Sequence, residues 1–229
     1  MLNVVLVEPE IPANTGNIGR TCVVSGTHLH LVGPLGFSLD DKSLKRAGMA
    51  YWQSLNVSVY DNWDQFLEKN GLAQASGAPV ADAAHDAVSA AGTAVNGTLT
   101  ASRSPLHFLT KKAKKTYAQA TYRDGDYLIF GKESLGLSEE LLAQHADECE
   151  RIPMLQDSAS LVNREDWSQK HDAIDGDDQY AHPALLQQDI CGNFIDPNEF
   201  SVSALNVSNA AAIVLYEALR QIGFPGMDV

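Results

Sequence analysis

The sequence predicts an α/β fold, a mostly parallel sheet with helices on both faces. Three observations carry that prediction. Short β-branched and apolar runs recur along the chain, stretches with helical start and stop signals alternate with them, and the last stretch bears an apolar stripe at steps of three and four.

Residues 2–7 form a run rich in β-branched residues ended by Pro9 and Pro12, which suits a buried parallel strand. A helix follows over 14–25, with Asn14 or Thr15 as its N-cap and Gly26 at its end. Residues 28–32 read as a strand, 41–49 as a short basic helix, 56–60 as a strand and 63–69 as a helix. Two short apolar strands are expected at 106–109 and 127–130, then a helix over 138–145 capped by Ser138, then a last strand at 150–154. In the final helix Val207, Ala211, Val214, Ala218 and Ile222 share one face, and Gly223 and Pro225 stop it. Ile213, Leu215 and Leu219 add apolar surface beyond that stripe, which predicts a homodimer with this helix at or near the interface.

Two segments break the alternation, so the 229 residues read as one domain, 1–229, with two insertions. Residues 70–104 hold 22 Ala, Gly, Ser or Thr out of 35, too little apolar bulk to offset the entropy of ordering, apart from a short alanine-rich helix allowed near 80–91. Residues 158–203 carry nine acids against Arg164 and Lys170, with Trp167, Tyr180, Phe194 and Phe200 to dock them on the core. The formal charge of −13 would speak against a nucleic-acid partner, but more than half of it sits in this second insertion. The charge of the core therefore excludes no polyanion. The N-terminus lacks a secretory signal, no run is long enough to span a membrane, and three cysteines (Cys22, Cys149, Cys191) without CxxC spacing exclude a disulfide framework or a cysteine-built zinc site. A cytoplasmic protein is expected.

Ligand chemistry in such a fold gathers at the carboxyl ends of the strands. Gly16-Asn17-Ile18-Gly19-Arg20 follows the first strand but lacks the first glycine of G-x-G-x-x-G, and no acid follows the second strand, so a nicotinamide site is weakly supported. Arg20 in an early helical turn opposes the helix dipole, which favours an anionic partner. Phe130-Gly131-Lys132-Glu133-Ser134-Leu135-Gly136-Leu137 follows another strand; its glycines admit either a flat ligand or an ordinary strand-to-helix turn. His28 and His30 lack a third metal ligand, and no metal is expected. Lys42, Lys45 and Arg46, and Lys111, Lys112, Lys114 and Lys115, each follow a strand and are either a solvated face or a surface for an anionic polymer. The Asn-x-Ser/Thr sites at Asn56, Asn96 and Asn206 read as chance sequons.

Taken together, Asn14 to Arg20, Leu128 to Leu137, and Leu205-Asn206-Val207-Ser208-Asn209 resemble the three motifs of SPOUT-class RNA 2′-O-ribose methyltransferases. The opening Leu2 to Pro12, Asp40-Asp41-Lys42 to Arg46-Ala47-Gly48, and Val214 to Ala218 narrow the resemblance to the small tRNA wobble-nucleotide (cytidine/uridine 2′-O) methyltransferases. It spans nearly the whole core and neither insertion. The resemblance implies a C-terminal trefoil knot, a homodimer, tRNA as partner, and S-adenosylmethionine held at Leu109, Gly131, Ile152 and Ala204. The family usually has serine where Ala204 stands. The resemblance gives Arg20 the activating role; a guanidinium stays protonated, so its expected task is to clamp a phosphate and polarise the ribose 2′-OH. Asn14 would help place the ribose, and Glu133, Ser208 and Asn209 would order the loops around the methyl donor. The alternatives are a related enzyme for another tRNA or ribosomal RNA position, or a catalytically silent RNA-binding member.

Overall fold

The computed structural model describes residues 1–39, 50–72, 104–154, 183–185 and 204–228. The basic helix expected at 41–49, with Lys42, Lys45 and Arg46, lies outside these residues, as do Cys191 and most of both insertions.

Six strands form one sheet: β1 (Asn3–Val7), β2 (His28–Val32), β3 (Val57–Tyr60), β4 (Leu106–Leu109), β5 (Tyr127–Phe130) and β6 (Cys149–Glu150). Their order is β3-β2-β1-β5-β4-β6, and every pairing is parallel. Burial on both faces explains why the central strands are mostly apolar, with the buried polar side chains Asn3, His30 and His107 paired inside the sheet layers. Successive side chains of a strand point to opposite faces, and β1 divides accordingly. Val4 and Leu6 join one core, while Val5 joins the other. The first core is completed by α1 (Pro12–Ser25) and the terminal helix, the second by α2 (Trp63–Lys69) and α3 (Glu139–Gln144). Helices therefore cover both faces. The terminal helix, α4 (Val207–Gln221), packs on α1 through Ala211, Val214, Leu215 and Ala218.

Three expectations are corrected. Helix α1 begins at Pro12 and not at Asn14, with Ile11 as N-cap, because proline's fixed φ and missing N–H suit a first helical position. Asn14 and Thr15 are turned inward and cap nothing. Arg20 is consequently the ninth residue of the helix, too deep for the dipole of the first turn to bear on it. The last strand ends at Glu150 and does not run to Met154: Arg151 makes one isolated bridge to Thr116, and Pro153 has no N–H to extend a ladder. In α4, Leu215 and Leu219 are buried in the chain's own core, so of the extra apolar residues only Ile213 stays outside, beside exposed Tyr216.

Candidate active site

A cavity of about 710 Å³ opens at the carboxyl ends of four neighbouring strands, a size suited to a small-molecule ligand. Glu10 and Ile11 come from the segment after β1, Leu109 to Lys112 from β4 onward, Phe130 to Gly136 from β5 onward, and Ile152 and Met154 from beyond β6. Ala204 to Val207, leading into α4, close the remaining side. The four positions expected at the methyl donor, Leu109, Gly131, Ile152 and Ala204, all line this one space, together with Asn14 and Glu133.

Glu133 organises the mouth. Its carboxylate accepts hydrogen bonds from the backbone N–H of Glu10 at 2.8 Å, the N–H of Ile11 at 3.3 Å and the side-chain amide of Asn14 at 3.0 Å. A carboxylate thus sits at the positive end of α1, a cap supplied from another element where Ile11 offers none. The arrangement is reciprocal. Glu10 accepts from the N–H of Ser134 at 2.9 Å and its hydroxyl at 2.8 Å, so each segment holds the other's backbone. Lys132 pairs with Glu8 at 2.8 Å, and that hydrogen bond raises the lysine's pKa.

The Asn14 amide is used at both ends: it donates to Glu133, and its oxygen accepts from Asn206 Nδ2 at 2.9 Å. Asn206 in turn caps α4, accepting from the N–H of Ser208 at 2.8 Å and its hydroxyl at 2.7 Å. One hydrogen-bonded chain, Glu133–Asn14–Asn206–Ser208, therefore joins all three sequence segments. In the sequence Asn206 stands only as a sequon and as part of the third segment. Its position as N-cap before an apolar helical run is the signal that singles it out.

Gly131 shows why glycine stands there. A Cβ would lie 2.1 Å from the carbonyl carbon of Gly136 and 2.3 Å from the nitrogen of Leu137. The close approach foreseen for a flat ligand is made by the loop's own backbone, which turns back on itself through Gly136 at φ +71.

Ser208, Asn209 and Arg20 stand apart from the cavity wall. Ser208 is buried against Asn206, and Asn209 is exposed on the first turn of α4. Arg20 is exposed, with its guanidinium 5.3 Å from the centre of the Tyr51 ring, whose hydroxyl donates to the carbonyl of Gly16. Gly19 lets its helix pack closely: a Cβ there would lie 3.1 Å from Leu55 and 3.8 Å from Leu29 of β2. Of the four lysines at 111–115, Lys112 pairs with Glu139, Lys114 donates to the carbonyl of Pro183, and Lys115 reaches buried Glu150. His28 bonds Ser58, while His30 lies between Tyr60 and Asn3; burial and the neighbouring His28 push its pKa down to about 3.

Residues 1–162 match the SpoU rRNA methylase family. The chain is 34% identical to the tRNA (cytidine(34)-2′-O)-methyltransferase of Saccharophagus degradans, covering 99% of both chains. It is 32% identical to the Escherichia coli K12 protein of that name, over 99% of this chain and 97% of that one. A solved structure concerned with 2-OH methylation of C/U34 on tRNA superposes with a TM-score of 0.58 at 29% identity, covering 96% of this chain and 95% of the other. With the family match running across β1 to β6 and the relatives across nearly the full length, the chain belongs to the SpoU methylase family.

Proposed function

We propose that the protein transfers a methyl group from S-adenosylmethionine to the 2′-OH of the wobble nucleotide, a cytidine or modified uridine, of tRNA. The observation that carries this reading is the convergence of Leu109, Gly131, Ile152 and Ala204 on one cavity whose mouth is tied by the Glu133–Asn14–Asn206 chain. The names of the relatives support the substrate.

The residues fit such a donor. Leu109, Ile152 and Val207 offer apolar surface to a planar base, and the lining mixes three carboxylates, Glu10, Glu133 and Glu139, with three lysines, Lys111, Lys112 and Lys132, so that both the charged and the apolar parts of the donor would find partners. S-adenosylmethionine supplies an electrophilic methyl group when bound. The chain's own residues then have separable tasks. Glu133, Asn14 and Ser208 act by fixing the loops around the cavity, since Glu133 is bonded to Asn14, and Asn14 and Ser208 are both bonded to Asn206. Arg20 and Asn209, exposed and outside the cavity wall, are the groups available to the RNA. Arg20 would clamp a phosphate and polarise the 2′-OH, lowering the cost of its attack.

The reading includes one domain over 1–229 with insertions at 70–104 and 158–203, a C-terminal trefoil knot, and a homodimer that brings Arg20 to the partner's cavity. Exposed Val24 on α1 and Ile213 and Tyr216 on α4 support the pairing, since α1 and α4 lie side by side and together present apolar surface. Among the described residues no helix is long and apolar enough to cross a membrane, and a tRNA substrate puts the activity in the cytoplasm.

The test has two arms. Calorimetry with S-adenosylhomocysteine should show binding, and mass mapping of tRNA after incubation with the protein and methyl donor should show one new ribose methyl at position 34. A methyl at another position overturns the substrate, and absence of binding overturns the cofactor.

A further inference from the structure

Away from the mouth of the cavity, three ionisable side chains, His107, Asp126 and Glu150, meet in the interior, and Tyr122 and the partly exposed Lys115 reach them. His107 of β4 has both ring nitrogens against carboxylates, Nδ1 at 3.0 Å from Glu150 and Nε2 at 3.1 Å from Asp126. Glu150 also accepts from Lys115 at 3.0 Å and from the Tyr122 hydroxyl at 2.8 Å. His107, Asp126 and Glu150 are 4%, 2% and 0% exposed. A ring flanked on both nitrogens by carboxylate oxygens can satisfy both only as an imidazolium. With His107 positive and Asp126 and Glu150 negative, the buried set carries one net negative charge, which the partly exposed ammonium of Lys115 offsets from the rim. Buried charges are tolerated when each is paired and hydrogen-bonded in this way.

Its location gives it a task. Thr110 N–H donates to the carbonyl of Glu150, Arg151 N–H to that of Lys115, and Tyr117 N–H to that of Arg151, so the segment after β4 and the segment after β6 are laced together directly over this group. Those segments carry Leu109, Thr110, Lys111 and Lys112 on one side and Ile152 and Met154 on the other, two walls of the cavity.

We propose that His107 and Glu150 are positioning residues for the methyl donor, a buried ionic clamp that sets the spacing of the two cavity walls. The proposal rests on the cavity being the donor site. Burial alone would lower the pKa of His107, but its bonds to Asp126 and Glu150 outweigh that and hold it above the ordinary value. Glu150 is held low by the same bonds against its own burial. The other groups facing the ring are Tyr122, Lys115 and Glu148, the last raised by burial. A raised histidine pKa makes the clamp intact at low and neutral pH and broken as pH rises through the folded-state value, where Glu150 and Asp126 would face a neutral ring.

The experiment measures S-adenosylhomocysteine affinity from about pH 6 to pH 10 alongside the His107 ring resonance by NMR. The wild-type protein should lose affinity in step with the titration of His107, by up to roughly tenfold per pH unit beyond it. Glu150→Gln removes one carboxylate, so both midpoints should move to lower pH. His107→Gln should bind more weakly at pH 6 and show no such titration. A residue of merely structural importance would shift the melting temperature and leave the pH profile of affinity in place. Flat wild-type affinity, or a midpoint unmoved in Glu150→Gln, overturns the clamp while leaving the proposed function standing. No binding at any pH overturns both.

Discussion

The carboxylate of Glu133 lies 3.0 Å from the amide of Asn14, across a separation of 119 residues in the chain. With the bonds from the N–H groups of Glu10 and Ile11 to the same carboxylate, that bond makes the loop after β5 the cap of the helix after β1, so the mouth of the cavity and the start of α1 are tied together.

Replacing Glu133 with glutamine therefore tests more than a charge. The substitution leaves one oxygen to serve three donors and sets an NH₂ group against another donor. The expected cost is about 1–3 kcal/mol of stability, read by urea unfolding, together with weaker S-adenosylhomocysteine binding by calorimetry. Unchanged stability would mean that the bonds at Glu10, Ile11 and Asn14 are dispensable.

Asn206→Ala cuts the next link. Loss of the α4 cap should cost about 1 kcal/mol, and Asn14 loses the partner of its oxygen. Donor affinity should fall as in the Glu133 variant, and the double mutant should cost less than the sum of the singles because the two residues share Asn14. Strict additivity would show that the chain of bonds does not act as a unit.

Two glycines of one loop should behave differently. At Gly131 an added Cβ meets main chain at 2.1 Å, so Gly131→Ala must rebuild the loop; a loss of about 3 kcal/mol or more and of donor binding is expected. At Gly136 no atom lies within 4 Å of a Cβ, and only the positive φ is strained, so Gly136→Ala should cost about 1–2 kcal/mol. Thermal melts of the two variants settle the order.

Arg20→Ala should abolish methyl transfer and leave S-adenosylhomocysteine affinity within about twofold, since Arg20 lines no part of the cavity of its own chain and its proposed task is toward the RNA, so a change of about 0.5 kcal/mol or less is expected. Removing Lys42, Lys45 and Arg46 should lower the salt slope of tRNA binding by roughly one for each phosphate that they neutralise. Wild-type turnover by Arg20→Ala would remove it from the reaction.

Cys22 and Cys149 are buried, and burial pushes both thiols up to about 12. Neither should react with a thiol reagent at neutral pH in the native protein, and both should react in denaturant. Mass spectrometry of the labelled protein distinguishes them from Cys191.

The sheet was legible because its central strands are mostly apolar on both faces, and 28–32, 63–69, 106–109 and 127–130 coincide with the elements found. The ends of elements were less so. Asn14 looks like a cap by residue type, yet its amide is drawn inward by Glu133 and Asn206, partners remote in sequence. The same holds for Leu215 and Leu219, whose burial depends on where α1 and the sheet lie. All four cavity positions came from the family resemblance. Composition and spacing alone left Phe130 to Leu137 divided between a ligand loop and a plain turn. The His107 group escaped altogether, because its members are scattered over four segments that meet only in the folded sheet.

The central pairing of the sheet bears on how the molecule assembles. Strands β1, β2 and β3 pair in chain order, but β1 must also find β5, with Asn3 opposite Tyr127. The first three strands can meet by short-range search; the β1–β5 ladder has to close a loop of more than half the chain before any of its hydrogen bonds form. Folding should accordingly run in two kinetic phases, an early one that forms the local β1–β2–β3 and β4–β5 ladders and a late one that closes β1 on β5. Lengthening the segment at 73–103 should slow only the second, and only weakly, because closure entropy grows with the logarithm of loop length.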